Sequence, residues 1–457
     1  MEEVPGAPRR PADGRRRRSA DELRRRSADE LRRRSADGRR RRSADGRRRR
    51  YVIDLTPLRE SPPYRRWWAG TTLSNVGTQL TVVAAQLQVF DITHSSFAVG
   101  ITGLVTVVPL IVFGLFGGSI ADAVDRRKLM LITSTASLAL SGLLLVQAAG
   151  DLERLSVIYV LLGLQAGVYS VDSAARGATL PRLVRRELLP AANSLGQLGW
   201  NTALTLGPLL AGVVVGAAGY SAAYAIDVGS FAAVLYGVLR LPPIRPDDTS
   251  HKAGFKSVVE GLRFLAPRKN LMMTFLVDID AMIFGMPRAL FPALAIGTFH
   301  GGAETAGLLY AAPSIGAFLG AAFSGWAGRV RRQGLAVIVS IAAWGASIAL
   351  FGFTHVLWVG VVLLAVAGLA DMISAIFRST ILQVATPDAL RGRLQGVFTV
   401  VVAGGPRLGD VESGTMAGLV GTEFSVISGG IACIVGLFAL VARYPGFARY
   451  DAEDPIP

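Results

Sequence analysis

The 457-residue sequence predicts an all-α integral membrane protein. Twelve transmembrane helices are expected in two pseudo-symmetric six-helix halves, behind a disordered arginine-rich tail. Three observations carry this expectation. Apolar runs of about 20 residues recur after Arg66, the length that crosses a bilayer core. Basic residues crowd alternate loops. The chain also resembles itself at an offset of 202 residues.

Residues 11–50 are five tandem octads, PADGRRRR, SADELRRR twice and SADGRRRR twice. Residues 1–50 hold 20 Arg and 9 acids, a net of +11, whereas residues 51–457 carry only +4. The basic character therefore belongs to the tail. Its low complexity offers too little apolar surface to offset ordering entropy, which predicts disorder. A solvated charge run and attachment to anionic lipid headgroups both stay open. No nucleic-acid module follows, so no nucleic-acid partner is expected. The first residues lack the apolar core of a secretory signal.

The whole chain is already 51% hydrophobic and only 18% charged, and without its tail the remainder is too apolar for an ordinary soluble fold. The expected spans are 67–90, 97–121, 128–149, 154–175, 191–216, 219–239, 272–298, 304–326, 333–353, 356–377, 394–419 and 423–442. Even-numbered loops carry 3, 4, 7, 3 and 3 Lys or Arg, and the odd-numbered ones together carry one, Arg154. That asymmetry places the even loops and both termini in the cytoplasm, and the chain in the plasma (inner) membrane as a multi-pass protein. The expected organisation is a basic tail (1–63), a first half (64–240), a linker (241–271), a second half (272–443) and a short tail (444–457). Within the linker, Phe255, Val258, Val259, Leu262 and Leu265 have the spacing of an amphipathic surface helix.

The repeat aligns Arg176 with Arg378, Leu180 with Leu382, and Leu206-Gly207 through Gly212 with Leu408-Gly409 through Gly414. Duplicated six-span halves are the architecture of a secondary transporter. No phosphate-binding G-x-x-x-x-G-K-[ST] occurs, so an ion gradient is the expected energy source. The single Cys433 excludes an intrachain disulfide. The four scattered histidines suggest no metal site, and no cofactor is implied.

The loop after the second span, GGSIADAVDRRK, resembles the signature of the major facilitator superfamily. Gly118, Ile120, Ala121, Asp122, Arg126 and Arg127 fit, while Ala123 and Asp125 depart from it. The resemblance implies a gate that locks the outward-facing state. In it, Asp122 meets the start of the eleventh span near Arg393, and Arg126 meets Asp172. A purely topological role for the basic cluster stays open. The fifth span, SLGQLGWNTALTLGPLLAG, is similar to the antiporter motif of the same superfamily through Gly207, Pro208 and Gly212, which favours export. Ordinary small-residue packing is the alternative there. NVGTQLTVVAAQLQVFDITHSSFAVG and GGPRLGD resemble the enterobactin-exporter (siderophore) branch over residues 64–445.

Charges inside a membrane are costly and point to function. The seventh span holds Asp278, Asp280 and Arg288, the tenth Asp371, and the eleventh Arg407 and Asp410. These are the candidates for proton coupling or the cavity. Asp278 and Asp280 turn 200° apart and face different neighbours. Arg407 and Asp410 share a face and can pair. Thr71, Asn75 and Gln79 share a face of the first span, where they suit a substrate cavity or interhelical hydrogen bonds. The expectation is a monomeric, non-enzymatic, proton-coupled exporter of a small amphipathic metabolite, a siderophore or a drug. An importer and a membrane receptor using the arginine tail are the rival readings.

Overall fold

The computed structural model describes residues 54–244, 262–386 and 388–451, with backbone alone at 115–119, 121–122, 388–393, 395–400 and 403. The octad tail, the middle of the linker with its expected amphipathic helix, and residues 452–457 lie outside the described residues.

Every regular element among the described residues is helical. The main helices are α1 (Pro62–Thr93), α2 (Ser96–Ala123), α3 (Arg126–Ala149), α4 (Leu155–Leu183), α5 (Leu189–Leu239), α6 (Lys269–Phe284) and α7 (Phe291–Gly297). There follow α8 (Ala303–Ala322), α9 (Gln333–Gly352), α10 (Leu357–Ala385), α11 (Asp388–Val420) and α12 (Thr422–Arg443). Among the described residues, nine stretches are long and apolar enough to cross a membrane.

Local chemistry starts and stops these helices. Ser61 caps α1 by accepting the Tyr64 amide, with Pro62 and Pro63 filling positions where no amide is needed. Asp125 caps α3 through the Lys128 amide at 3.1 Å. Gly421, at φ 93°, separates α11 from α12 in a backbone region that favours glycine.

Two expected boundaries are corrected. The break expected at 217–218 between the fifth and sixth spans falls at Gly219: α5 is helical on both sides of this residue, which alone leaves helical geometry at φ 77° and ψ −179°. Neighbours on α1 show that its two arms are antiparallel. Gly199 and Gly207 lie against Thr72 and Gln79, whereas side-chain space at Gly70 and Gly77 meets Val234 and Asp227. The seventh span is not one helix either. Its hydrogen-bond ladder breaks between Phe284 and Phe291, where Pro287 supplies no amide and a single 3-10 turn, Arg288–Leu290, intervenes.

The two ends of the helix array differ. One end has tight connections at 94–95, 150–154, Gly219, 298–302, 353–356 and Gly421. The other carries Arg126, Arg127, Arg185, Arg240, Arg331 and Arg332. They are termed the short-loop end and the basic end.

Away from either end, a buried polar network ties several helices together. Asp227 on the second arm of α5 accepts hydrogen bonds from Thr81 at 2.9 Å, Ser141 at 2.7 Å and Ser230 at 3.2 Å. Gln165 of α4 extends this network by donating to Ser141 at 3.0 Å. Such bonds join helices that gain nothing from water exclusion inside a bilayer.

Candidate functional site

A cavity of about 490 Å³ lies between the helices before the linker and those after it. Its walls include Gln79 and Gln86 of α1, Thr102 and Thr106 of α2, Tyr169 of α4 and Trp200 of α5. Arg288, Arg407 and Asp410 complete it from the far side. A smaller lobe of about 100 Å³ adds Asn75 and Gln165. This volume suits a small organic ligand.

The lining is ordered by specific contacts. Arg407 donates from Nε to Thr106 Oγ1 at 3.1 Å, and that hydroxyl donates to the Thr102 carbonyl at 2.8 Å. Tyr169 and Trp200 stack at 6.4 Å between centroids and 28° between planes. Asp410 sits in the fields of both Arg288 and Arg407. The wall thus offers two guanidinium groups, one carboxylate, an aromatic pair and several amides and hydroxyls.

The expected residues divide between this cavity and other places. Asn75, Gln79, Arg288, Arg407 and Asp410 line it, whereas Thr71 does not. The expected Arg407–Asp410 ion pair is absent among the described residues, because the Arg407 guanidinium turns toward α2. Asp278 and Asp371 lie outside the cavity as well. Arg378 of α10 forms a buried ion pair with Asp278 and also reaches Asp371 at 3.4 Å. Asp280 faces the other way, toward Gly436 of α12. The opposite directions of Asp278 and Asp280 match the helical geometry, but neither reaches the cavity.

Tyr169, Trp200, Thr102 and Thr106 were not singled out by sequence reasoning. Trp200 sits within the quoted antiporter-like stretch, and a Trp among small residues was the available signal. Gln86, noted as polar in an apolar span, is part of the wall.

At the short-loop end two helix pairs meet backbone to backbone. Between α2 and α11, a Cβ on Gly100 would stand 2.5 Å from the Asp410 carbonyl, and one on Gly414 would stand 2.7 Å from the Ser96 carbonyl. Between α5 and α8, a Cβ on Gly212 would meet the Ala303 carbonyl at 2.7 Å, and one on Gly307 the Pro208 carbonyl at 2.6 Å. Only glycine permits such approaches. Gly212 and Pro208 of the antiporter-like motif therefore pack on α8, while Gly207 packs on Val76 and Gln79 of α1.

Toward the basic end, Ser194 and Gln197 of α5 are exposed, and a side chain at Gly196 would meet nothing within 4 Å. A polar stripe inside a membrane is stable against water or protein rather than lipid.

The gate expected here is only partly visible. Gly118 is described by its backbone alone, and the side chains of Asp122 and Arg393 lie outside the described residues. Arg126 does not meet Asp172: it donates to the Ala178 carbonyl at 3.1 Å. Asp172 is ion-paired with Arg176 and accepts from Thr133 at 2.6 Å. Arg127 donates to the Leu239 carbonyl at 2.7 Å.

Residues 53–455 match the family described as transmembrane secretion effector. Enterobactin exporter EntS of Citrobacter koseri is 29% identical over 409 residues, covering 89% of this chain and 98% of its own length. Among solved structures, a bacterial homologue of the human lysosomal transporter Spinster, in inward-facing and unoccupied conformation, aligns with a TM-score of 0.66. It is 15% identical and covers 86% of this chain and 97% of that one. The nucleoside transporter NupG aligns with a TM-score of 0.64 at 15% identity, over 84% of this chain and 99% of that one.

Proposed function

The chain belongs to the transmembrane secretion effector family of the major facilitator superfamily, and from that premise we propose a proton-coupled exporter of a small amphipathic metabolite. It is a membrane transporter, not an enzyme. The proposed protein has twelve spans in two six-helix halves, with the two arms of α5 and the broken α6–α7 segment each counted as spans. The basic end faces the cytoplasm by the positive-inside rule.

The observation that carries this reading is a cavity walled by helices from both sides of the linker, with close glycine contacts between those helices at its short-loop end. Its two arginines against one aspartate favour an acidic group on the substrate. The Tyr169–Trp200 pair favours a planar or aromatic portion beside it. That chemistry is closer to a siderophore than to a cationic drug, and the similarity to enterobactin exporters supports the outward direction.

A coupling carboxylate must change charge during the cycle. Asp278 is held by Arg378, so protonating it would strand a buried cation. Asp280 is buried with no cation paired to it among the described residues. Asp280 is therefore the proposed proton carrier. In proteoliposomes bearing a pH gradient, export of an acidic aromatic siderophore is expected, and Asp280→Asn should abolish gradient-driven flux while substrate binding persists. Flux of every probe in the uptake direction would reverse the assigned direction. Normal substrate-induced proton release in Asp280→Asn would remove that residue from coupling.

A further inference from the structure

A second concavity lies far from the substrate cavity, on the outer surface between α9 and α10. It holds about 470 Å³. Trp326 and Arg332 stand at its basic end, and Ala336, Ser340, Ala343 and Ala370 line it with small side chains. On its rim Leu335 and Val339 are exposed, as residues facing lipid would be.

We propose that this groove binds one phospholipid with an anionic headgroup, its acyl chain lying along α9 and its phosphate at Arg332. Length supports the occupant. From Arg332 to Ala343 a helix rises about 16 Å, against about 15 Å for half of a bilayer core. The groove therefore matches one leaflet's hydrocarbon depth, with its cation at the headgroup level. Charge supports it too. Arg331 is engaged by Asp451, whereas no carboxylate pairs with Arg332 among the described residues. Trp326, tilted against Phe377 at 6.0 Å, places an amphipathic ring at the same level. The site is separate from the arginine tail and does not depend on the transported substrate.

The test uses the purified full-length chain, equilibrated with equal phosphatidylglycerol and phosphatidylcholine and read by native mass spectrometry. One retained phosphatidylglycerol is expected, preferred about fivefold, the effect of one basic residue near a charged surface. Arg332→Gln should bring the preference close to unity while a lipid is still retained. Ala343→Phe, and separately Ala336→Phe, should fill the groove and remove the retained lipid of either class. Both positions are half-buried at the lipid-facing surface, so a larger side chain has room outward. Equal retention of the two lipids by the unmodified chain overturns the proposal. So does an unchanged preference in Arg332→Gln, or undiminished retention in both phenylalanine variants.

Discussion

The short-loop end and the basic end of the helix array are held by opposite kinds of contact. At the short-loop end, α2 meets α11 and α5 meets α8 through glycines and carbonyl oxygens, with no charged pair in the contact. At the basic end, Arg126 and Arg127 hold carbonyls, Asp172 holds Arg176, and Arg185 holds Glu60. A glycine seal works by van der Waals fit and can part without stranding a charge. A charged latch can part only if each group finds a new partner or water. In the proposed transport cycle, the first end would rely on shape and the second on groups that must find new partners.

The sharpest way to break this contrast is a wedge in the glycine seal. Gly307→Leu would drive a side chain into the Pro208 carbonyl. Overpacking of about 1–3 kcal/mol corresponds to roughly a five- to 150-fold shift away from the packed state. Transport should fall accordingly, and a cysteine at Thr102 should become reactive from the short-loop side. Cys433 is fully buried and adds little background. Unchanged transport and labelling would mean the seal is not a moving part.

A smaller loss is expected at the basic end. Asp122→Asn removes one charge from the expected latch, a contribution of about 0.3–1 kcal/mol at a helix terminus. Export should drop by roughly two- to fivefold at normal expression, measured as initial rate per protein. Full activity would show that the latch motif is relict here. Smaller still is Arg185→Gln, which removes an exposed pair with Glu60. Exposed pairs contribute about 0–1 kcal/mol, so the melting temperature should move by no more than a few degrees. A large drop would mean this surface pair is part of the latch. The least effect should come from deleting residues 2–50, because Arg59, Arg65 and Arg66 still flank the first span. Membrane insertion and most transport should survive. Loss of insertion, read by protease protection of the linker, would give the tail a topological role.

Sequence reasoning reached the seal by half. The repeated Leu-Gly-x₄-Gly ends in Gly212 and Gly414, and each lies in one of the two backbone contacts. Their partners, Gly307 and Gly100, were not legible, because close approach is a property of two helices and pattern is a property of one. The same limit hid the Asp278–Arg378 pair, whose members are 100 residues apart in sequence. Helical geometry did assign Asp278 and Asp280 to different faces, since that needs only one helix. It misled at Arg407, where a partner on α2 outcompeted the aspartate one turn away. Hydropathy read residues 272–298 as one span because it weighs composition and does not register the missing amide of Pro287.

Gly219 has a consequence for how the protein is made. One residue joins the two antiparallel arms of α5, so neither arm can be completed far from the other. During synthesis the pair would enter the membrane together as a helical hairpin, leaving no stretch of chain outside long enough for a protease, a glycan acceptor or an epitope tag. A side chain at this position would be strained at φ 77° whatever the space around it. Faulty variants here would accordingly be met at the insertion machinery and its quality control, before any transport assay could register them.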